Sequence, residues 1–240
     1  VAPRLDRIVT VSEASRREIE RYFGIPEKLV PVVYNGTDLG VFHPVEGQAI
    51  ESDLLFVGRT EDRKKGIGTL LEAMTFLPEH LTLKIVDGRI PEDGLVHRFV
   101  RRHRLERRVL LHQKMLNVPE LVAQYSTARA AVVPSFFEGF GFPASEAMAC
   151  GLPVIANAVG ALPEVVGSDG EAGRLVPPRD ARALAAAIVE ILGDPARAAR
   201  MGRAARARIG RLFRWQDAAS QLVDVFEETL RAAHRRSRAA

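Results

Sequence analysis

The stretch that decides the fold is Pro134–Val154, which reads PSFFEGFGFPASEAMACGLPV. It begins where the short apolar run Ala130–Val133 ends, and that run predicts a buried strand. The loop that follows contains Gly139 and Gly141, which allow the backbone to approach a ligand closely. Pro143 suits the first position of a helix, because proline lacks an N–H and has a fixed φ. A strand, a glycine loop and a helix start in this order predict an anion site at the helix N-terminus.

Two acidic residues bracket this loop. We expect Glu146 in the first turn of the helix, where its carboxylate accepts hydrogen bonds from vicinal ribose hydroxyls, as an acid does in dinucleotide-binding folds. Glu138 lies on the loop, within reach of a sugar hydroxyl or the reacting centre. The alternatives are a solvated loop charge for Glu138 and a helix-dipole partner without a ligand role for Glu146.

A second segment, residues 56–70, reads FVGRTEDRKKGIGTL and carries two cations at opposite ends of one loop. Arg59 follows a predicted strand, and Lys65 precedes a predicted helix. An arginine fork and a lysine point charge that converge in this way predict a clamp on a diphosphate. Lys64 is the alternative to Lys65, and a solvated basic loop is the alternative to the clamp.

Around these segments the chain alternates strands and helices about five times. This alternation predicts an α/β fold with a doubly wound, Rossmann-like parallel sheet. Ligands of such sheets bind outside the carboxyl ends of the strands. The predicted strands are 54–57, 81–86, 109–111, 130–133, 154–156 and 174–176, and short extended pieces are expected near Ile8–Val11 and Leu29–Val33.

Composition limits the function classes. Of 240 residues, 47% are hydrophobic and 27% are charged, as in soluble globular proteins. No apolar run reaches the length of about 18 residues that a membrane span requires, and Val1–Arg4 contain no apolar signal core. Cys150 is the single cysteine, so no internal disulfide forms, which suits the cytoplasm. The net charge of +4 comes without interleaved aromatic residues, so we expect no nucleic-acid partner, and peripheral contact with the inner face of a membrane remains an option.

These motifs resemble those of the group-1 family of retaining glycosyltransferases, which have the two-lobed GT-B fold. The block from Glu138 to Glu146 resembles the Glu-x7-Glu signature of that family, and Gly58-Arg59 to Lys65-Gly66 resembles its phosphate clamp. The front segment with Asn35-Gly36-Thr37-Asp38 resembles the stretch that links the two lobes. Phe213-Arg214-Trp215 and the residues after it resemble the terminal helix that crosses back to the first lobe.

The resemblance implies a role for each site residue. Glu138 contacts the donor sugar near its anomeric carbon and is the catalytic candidate. Glu146 binds the ribose, and Arg59 and Lys65 hold the diphosphate leaving group. The donor-binding set is Arg59, Lys65, Gly139, Phe140, Gly141, Phe142 and Glu146. No metal or other cofactor is implied, since cations and a helix N-terminus neutralise the leaving group.

The resemblance covers the donor-binding half of such an enzyme. It implies a remnant of the N-terminal lobe and linker at 1–45, a nucleotide-sugar-binding domain at 46–212 and a crossing helix with a basic tail at 213–240. The partners implied are a nucleotide sugar, an acceptor sugar or lipid, and an N-terminal lobe that this chain lacks. By itself the chain is expected to transfer sugar poorly or not at all, because the cleft between two lobes must close for productive geometry.

Two loops depart from the family pattern. Val86-Asp87-Gly88 stands where Gly-Asp-Gly is common, and His112-Gln113-Lys114 follows Leu111 where glycine is common. Both loops are expected near the base, so the choice among UDP, GDP and ADP stays open. A non-catalytic nucleotide-binding module and a nucleotide-sugar epimerase on the same fold are the alternative functions.

Overall fold

The computed structural model describes residues 5–239, with side chains up to residue 236. The prediction about Val1–Arg4 lies outside the described residues. The strands are β1 (Ser52–Val57), β2 (Leu83–Asp87), β3 (Val109–Gln113), β4 (Ala128–Val133), β5 (Val154–Asn157) and β6 (Gly173–Val176). The α-helices are α1 (Glu13–Phe23), α2 (Ile67–Met74), α3 (Leu95–His103), α4 (Val118–Ser126), α5 (Phe142–Ala149), α6 (Leu162–Val166), α7 (Ala181–Leu192), α8 (Pro195–Leu212) and α9 (Trp215–Ala239).

The six strands form one sheet in the order β3-β2-β1-β4-β5-β6, and every neighbouring pair is parallel. The predicted doubly wound parallel sheet is therefore confirmed. The chain winds outward from β1 to β3 and then returns to place β4 on the other side of β1. The order reverses between β1 and β4, and a crevice outside their carboxyl ends is where such sheets bind ligands.

Each face of the sheet has its own hydrophobic core. One core joins the sheet to α2, α3 and α7 around side chains such as Leu70, Ile85 and Ile188, all fully buried. The other joins it to α4, α5, α6 and α8 around side chains such as Met148 and Val154. The central strands are buried on both faces, as expected for a parallel sheet with helices on either side.

The residues before the sheet form a helix and one short pairing. Ser12 caps α1 by accepting a hydrogen bond from Ser15 N–H at 3.1 Å, as its position in the sequence predicts. The extended pieces predicted near Ile8–Val11 and Leu29–Val33 do not become full strands. They form a single parallel bridge between Thr10 and Val32.

Residues after the sheet pack against residues before it. Thr37 N–H donates to the Phe213 carbonyl at 2.8 Å. A Cβ at Gly36 would overlap with the backbone of Trp215, the first residue of α9. Across the described range, none of the helices has both the length and the apolar content required to cross a bilayer.

Candidate functional site

The loops after β1 and β4 interlock at the carboxyl edge of the sheet. Phe136 N–H donates to the Lys64 carbonyl at 2.7 Å. A Cβ at Gly66 would overlap with the Pro134 carbonyl oxygen, and Gly66 has a φ of 67°. Asn157, at the end of β5, donates its side-chain amide to the carbonyls of Pro134 and Ser135 at 2.6 and 3.0 Å. These contacts hold the loops after β1 and β4 against each other at the point where the strand order reverses.

Glu138 lies on the loop after β4 and contacts the loop after β1. Its carboxylate accepts from Lys65 Nζ at 2.7 Å and from Ser135 Oγ at 2.8 Å, and the residue is only 9% exposed. Its backbone also has a fixed neighbour, because a Cβ at Gly160 would overlap with the Glu138 carbonyl oxygen. Glu138 is therefore a buried acid paired with a cation, which excludes the solvated loop charge considered from the sequence.

The structure distinguishes the two adjacent lysines. Lys65 reaches back across the loop, with its Cδ 3.9 Å from where a Cβ at Gly58 would stand. Lys64 is exposed, and its Nζ lies 5.8 Å from the centroid of the Phe137 ring. Lys65 is therefore the lysine that contacts the buried acid, whereas Lys64 faces solvent.

Arg59 is exposed at the other end of the same loop. It lines a cavity of about 430 Å³ together with Asp87 and Arg89. The backbone beside it is fixed, because Asp87 accepts from Thr60 N–H at 2.7 Å and from Thr60 Oγ1 at 2.9 Å. The diphosphate clamp formed by Arg59 and Lys65 stays a prediction.

Helix α5 begins one residue earlier than predicted. Gly141, with a φ of 100°, caps the helix, Phe142 is its first residue and Pro143 its second. Glu146 is consequently the fifth residue, so the prediction that it lies in the first turn is wrong. The physical reason is that the left-handed conformation of Gly141 lets Phe142 enter the helix without strain.

The aromatic residues of the glycine loop divide between interior and surface. Phe140 is buried and packs edge-to-face against Phe213, with ring centroids 5.6 Å apart. Phe142 is 41% exposed at the start of α5. The loop is thus anchored by one ring, while the other remains accessible beside the helix N-terminus.

Glu146 is half-buried and lies against a phenol. The hydroxyl of Tyr125, at the end of α4, donates to Glu146 Oε2 at 2.8 Å, and the Tyr125 side chain is buried. Burial raises the pKa of Glu146, while the Tyr125 hydrogen bond opposes that rise. Burial, reinforced by the Glu146 charge, raises the pKa of the neighbouring Cys150 thiol to about 12, so Cys150 is a buried apolar residue rather than a nucleophile.

A large cavity lies away from these acids. It measures about 850 Å³ and lies on the α2 and α3 side of the β1 loop. It shares Gly66 and Phe136 with the site but includes neither Glu138 nor Glu146. Lys65 and Glu138 instead meet at the strand reversal, so we take that edge of the sheet as the candidate functional site. Within residues 5–239, His, Cys, Asp and Glu side chains form no cluster of three suited to a metal ion.

Several residues of the site escape sequence reasoning. Ser135, Asn157 and Gly160 hold the Glu138 loop, and Tyr125 holds Glu146. Asn157 ends β5 and Gly160 follows it, so their place at the carboxyl edge of the sheet was a signal that could have identified them. Tyr125 had no such signal, because it lies within a helix that reads as ordinary amphipathic surface.

The fold and the site together define a Rossmann-like lobe that has a paired Lys and Glu at its strand reversal and a helix N-terminus beside them. The model of group 1 glycosyl transferases matches residues 51–194, and the model of glycosyltransferase family 4 matches residues 1–41. The chain belongs to the group 1 glycosyltransferases.

Individual relatives agree with this membership. The chain is 34% identical to an MMP alpha-(1->4)-mannosyltransferase of Mycolicibacterium hassiacum, over 96% of the chain and 56% of that protein. It superposes on sucrose-phosphate synthase from Thermosynechococcus elongatus with a TM-score of 0.84 and 34% identity, over 95% of the chain and 59% of that protein. HepE of Anabaena, solved with UDP and glucose, shares the fold with a TM-score of 0.81 and 23% identity, over 92% of the chain and 63% of that protein. The chain thus spans about half the length of the curated relatives it matches.

Proposed function

We propose that this chain supplies the donor-binding lobe of a retaining glycosyltransferase. The enzyme transfers a hexose from a nucleotide-diphosphate sugar to a sugar or lipid acceptor, without a metal ion. The observation that carries the proposal is the 2.7 Å contact between Lys65 and the buried Glu138, beside the N-terminus of α5. The mannosyltransferase and the sucrose-phosphate synthase similar to this chain both transfer sugars by name, which supports the assignment.

Each residue has a distinct task in this proposal. Arg59 and Lys65 stabilise the negative charge that develops on the diphosphate as it leaves, together with the free N–H groups at the start of α5. Glu138 contacts the donor sugar near its anomeric carbon and orients Lys65. Glu146 accepts hydrogen bonds from the ribose hydroxyls.

A second lobe completes the enzyme in this proposal. It holds the acceptor over the Glu138 loop, because a transferase must bring donor and acceptor together in one closed cleft. We further propose that the reaction takes place in the cytoplasm, with the acceptor drawn from the solution or from the inner face of the membrane.

A thermal-shift panel tests the donor site. With EDTA present, UDP, GDP and ADP are each added, and we expect one of them to raise Tm. Ligand at about 100 times its Kd stabilises the native state by about 2.7 kcal/mol. Glu146→Ala should remove the shift. Failure of all three nucleotides to stabilise the protein would overturn the proposal, and binding without sugar transfer by the whole protein would indicate a non-catalytic nucleotide module.

A further inference from the structure

Tyr125 is the hydrogen-bond partner of Glu146 in the described part of the chain. Its hydroxyl donates to Glu146 Oε2 at 2.8 Å, from a side chain that is only 1% exposed. A buried phenol must find an acceptor, because a buried hydroxyl without a partner destabilises the fold. The two side chains come from different helices, α4 and α5, so neither helix alone sets the bond.

The two oxygens of Glu146 therefore differ. Oε2 is occupied by Tyr125. Among the described side chains, Oε1 has no hydrogen-bond partner. It is also not one of the buried atoms without a partner, so it retains contact with solvent. One oxygen is fixed by the protein while the other is available to a ligand.

We propose that Tyr125 is a positioning residue for ribose recognition: it fixes Glu146 through Oε2 so that the free oxygen and the carboxylate charge are presented to the nucleoside. This inference rests on the proposed function, in which Glu146 binds the ribose. It adds a residue outside the glycine loop and the cation clamp. Burial raises the pKa of Tyr125 well above its ordinary value, so the phenol remains a donor across the working pH range.

The charges around Glu146 make the proposal measurable. Tyr125 faces it from α4, Cys150 lies one turn further along α5, and Arg206 on α8 approaches Cys150. Glu164 on α6 is engaged elsewhere, by the N–H groups of Glu13 and Ala14. A hydrogen bond to the charged carboxylate favours ionisation, so loss of the Tyr125 hydroxyl should raise the pKa of Glu146 further.

The test compares the pH dependence of nucleotide binding in matched variants of the whole protein. Tyr125→Phe removes the hydroxyl and keeps the ring. Tyr34→Phe is the control, because Tyr34 donates to Glu164 Oε2 at 2.9 Å in a bond of the same kind that does not involve Glu146. The Kd of UDP, GDP and ADP is measured by calorimetry between pH 5 and pH 8.5, and the tightest binder is compared with its 2′-deoxy analogue.

We expect binding to weaken on acidification in every variant, as Glu146 is protonated. In Tyr125→Phe this loss should begin at higher pH, and at neutral pH the ribonucleotide should bind about 3–10-fold more weakly, which is the size of a typical net hydrogen-bond contribution. The 2′-deoxy analogue should lose less. Tyr34→Phe should follow the wild type.

An acid limb that stays in place in Tyr125→Phe overturns the inference, whatever happens to the affinity itself. A second measurement does not depend on the variant folding: the side-chain ¹³C signal of Glu146 in the wild type should titrate together with the acid limb of binding, and a separate titration also overturns the inference. If no nucleoside diphosphate binds the wild type, the proposed function fails and takes this inference with it. If the wild type binds and only the limb fails to move, the proposed function stands.

Discussion

Glu138 and Glu146 lie eight positions apart in one motif, yet the fold treats them differently. Glu138 sits against a cation and a hydroxyl on the loop, so its charge has a permanent counter-charge. Glu146 sits on the helix with a phenol, and burial raises its pKa. The comparison indicates that the motif supplies one acid that is paired directly with a cation and one acid whose pKa is raised by burial.

The largest effect should come from neutralising Glu138. Glu138→Gln is expected to lower the rate of sugar transfer about 10²–10³-fold, since it removes an electrostatic contact near the reacting centre. Binding of the nucleoside diphosphate should change by less than about tenfold, because the proposed function assigns Glu138 to the sugar and not to the nucleotide. Steady-state transfer assays and calorimetry check this, and equal losses of rate and nucleotide affinity would contradict the assignment.

The backbone position of Glu138 can be disturbed without a change to its side chain. Gly160→Ala forces a Cβ against the Glu138 carbonyl oxygen at a residue with a φ of 51°, and should lower the free energy of unfolding by about 2–4 kcal/mol. Gly139→Ala is the matched control, because its Cβ would meet only Ser15 Oγ at an ordinary 3.9 Å. Denaturant unfolding measures both. Similar stability of the two variants would show that the Gly160 contact does not constrain the loop.

The two lysines sharpen the comparison from the cation side. Lys65→Ala should weaken the binding of nucleoside diphosphates by about 10–100-fold while the binding of nucleosides changes little, because the variant lacks the charged donor that the proposed clamp places on the phosphates. It should also lower Tm, since Glu138 is left buried without its counter-charge. Lys64→Ala should bind within about twofold of the wild type, because Lys64 faces solvent. Equal effects in both variants would remove Lys65 from the clamp.

The smallest effect concerns the stability cost of burying the charged form of Glu146. The pKa of Glu146 is raised in the fold, so the stability linked to its protonated form is present at low pH and is lost as pH rises through the folded pKa. Glu146→Gln removes that loss and should raise Tm by about 1–4 °C above that window, with little change below it. Melting curves across pH test this. A Tm gain that is the same at every pH would point to a cause other than the charge.

Sequence reasoning recovers the sheet because its strands are short apolar runs followed by glycine or charge. The strand and glycine signals near Leu54–Gly58 and Ala130–Gly141 are local, so they predict correctly where β1 and β4 end at the carboxyl edge of the sheet. The pairing of Lys65 with Glu138 is not local: it depends on how closely the two loops approach, which Gly66 permits. Tyr125 shows the limit most clearly, since its hydrogen bond to Glu146 joins α4 to α5 and leaves no mark in the sequence of α4.

The position of Glu146 was missed for a different physical reason. Pro143 suggested the helix start, but a proline fits either of the first two helical positions. The left-handed backbone of Gly141 ends the loop there, so Phe142 is the first helical residue and Pro143 the second. The additional residue makes Glu146 the fifth residue of α5, about 1.5 Å further along the helix axis from the helix start than if α5 began at Pro143.

The hydrogen bond from Thr37 to Phe213 and the contact of Gly36 with Trp215 join the two segments that flank the sheet. A chain cut after Leu212 would keep all six strands yet lose both of these attachments. The linker around Gly36 should then become more sensitive to protease, whereas α1 keeps its hydrogen bonds from the N–H groups of Glu13 and Ala14 to Glu164. Removal of the trailing helix is therefore expected to expose the linker before it frees the leading helix.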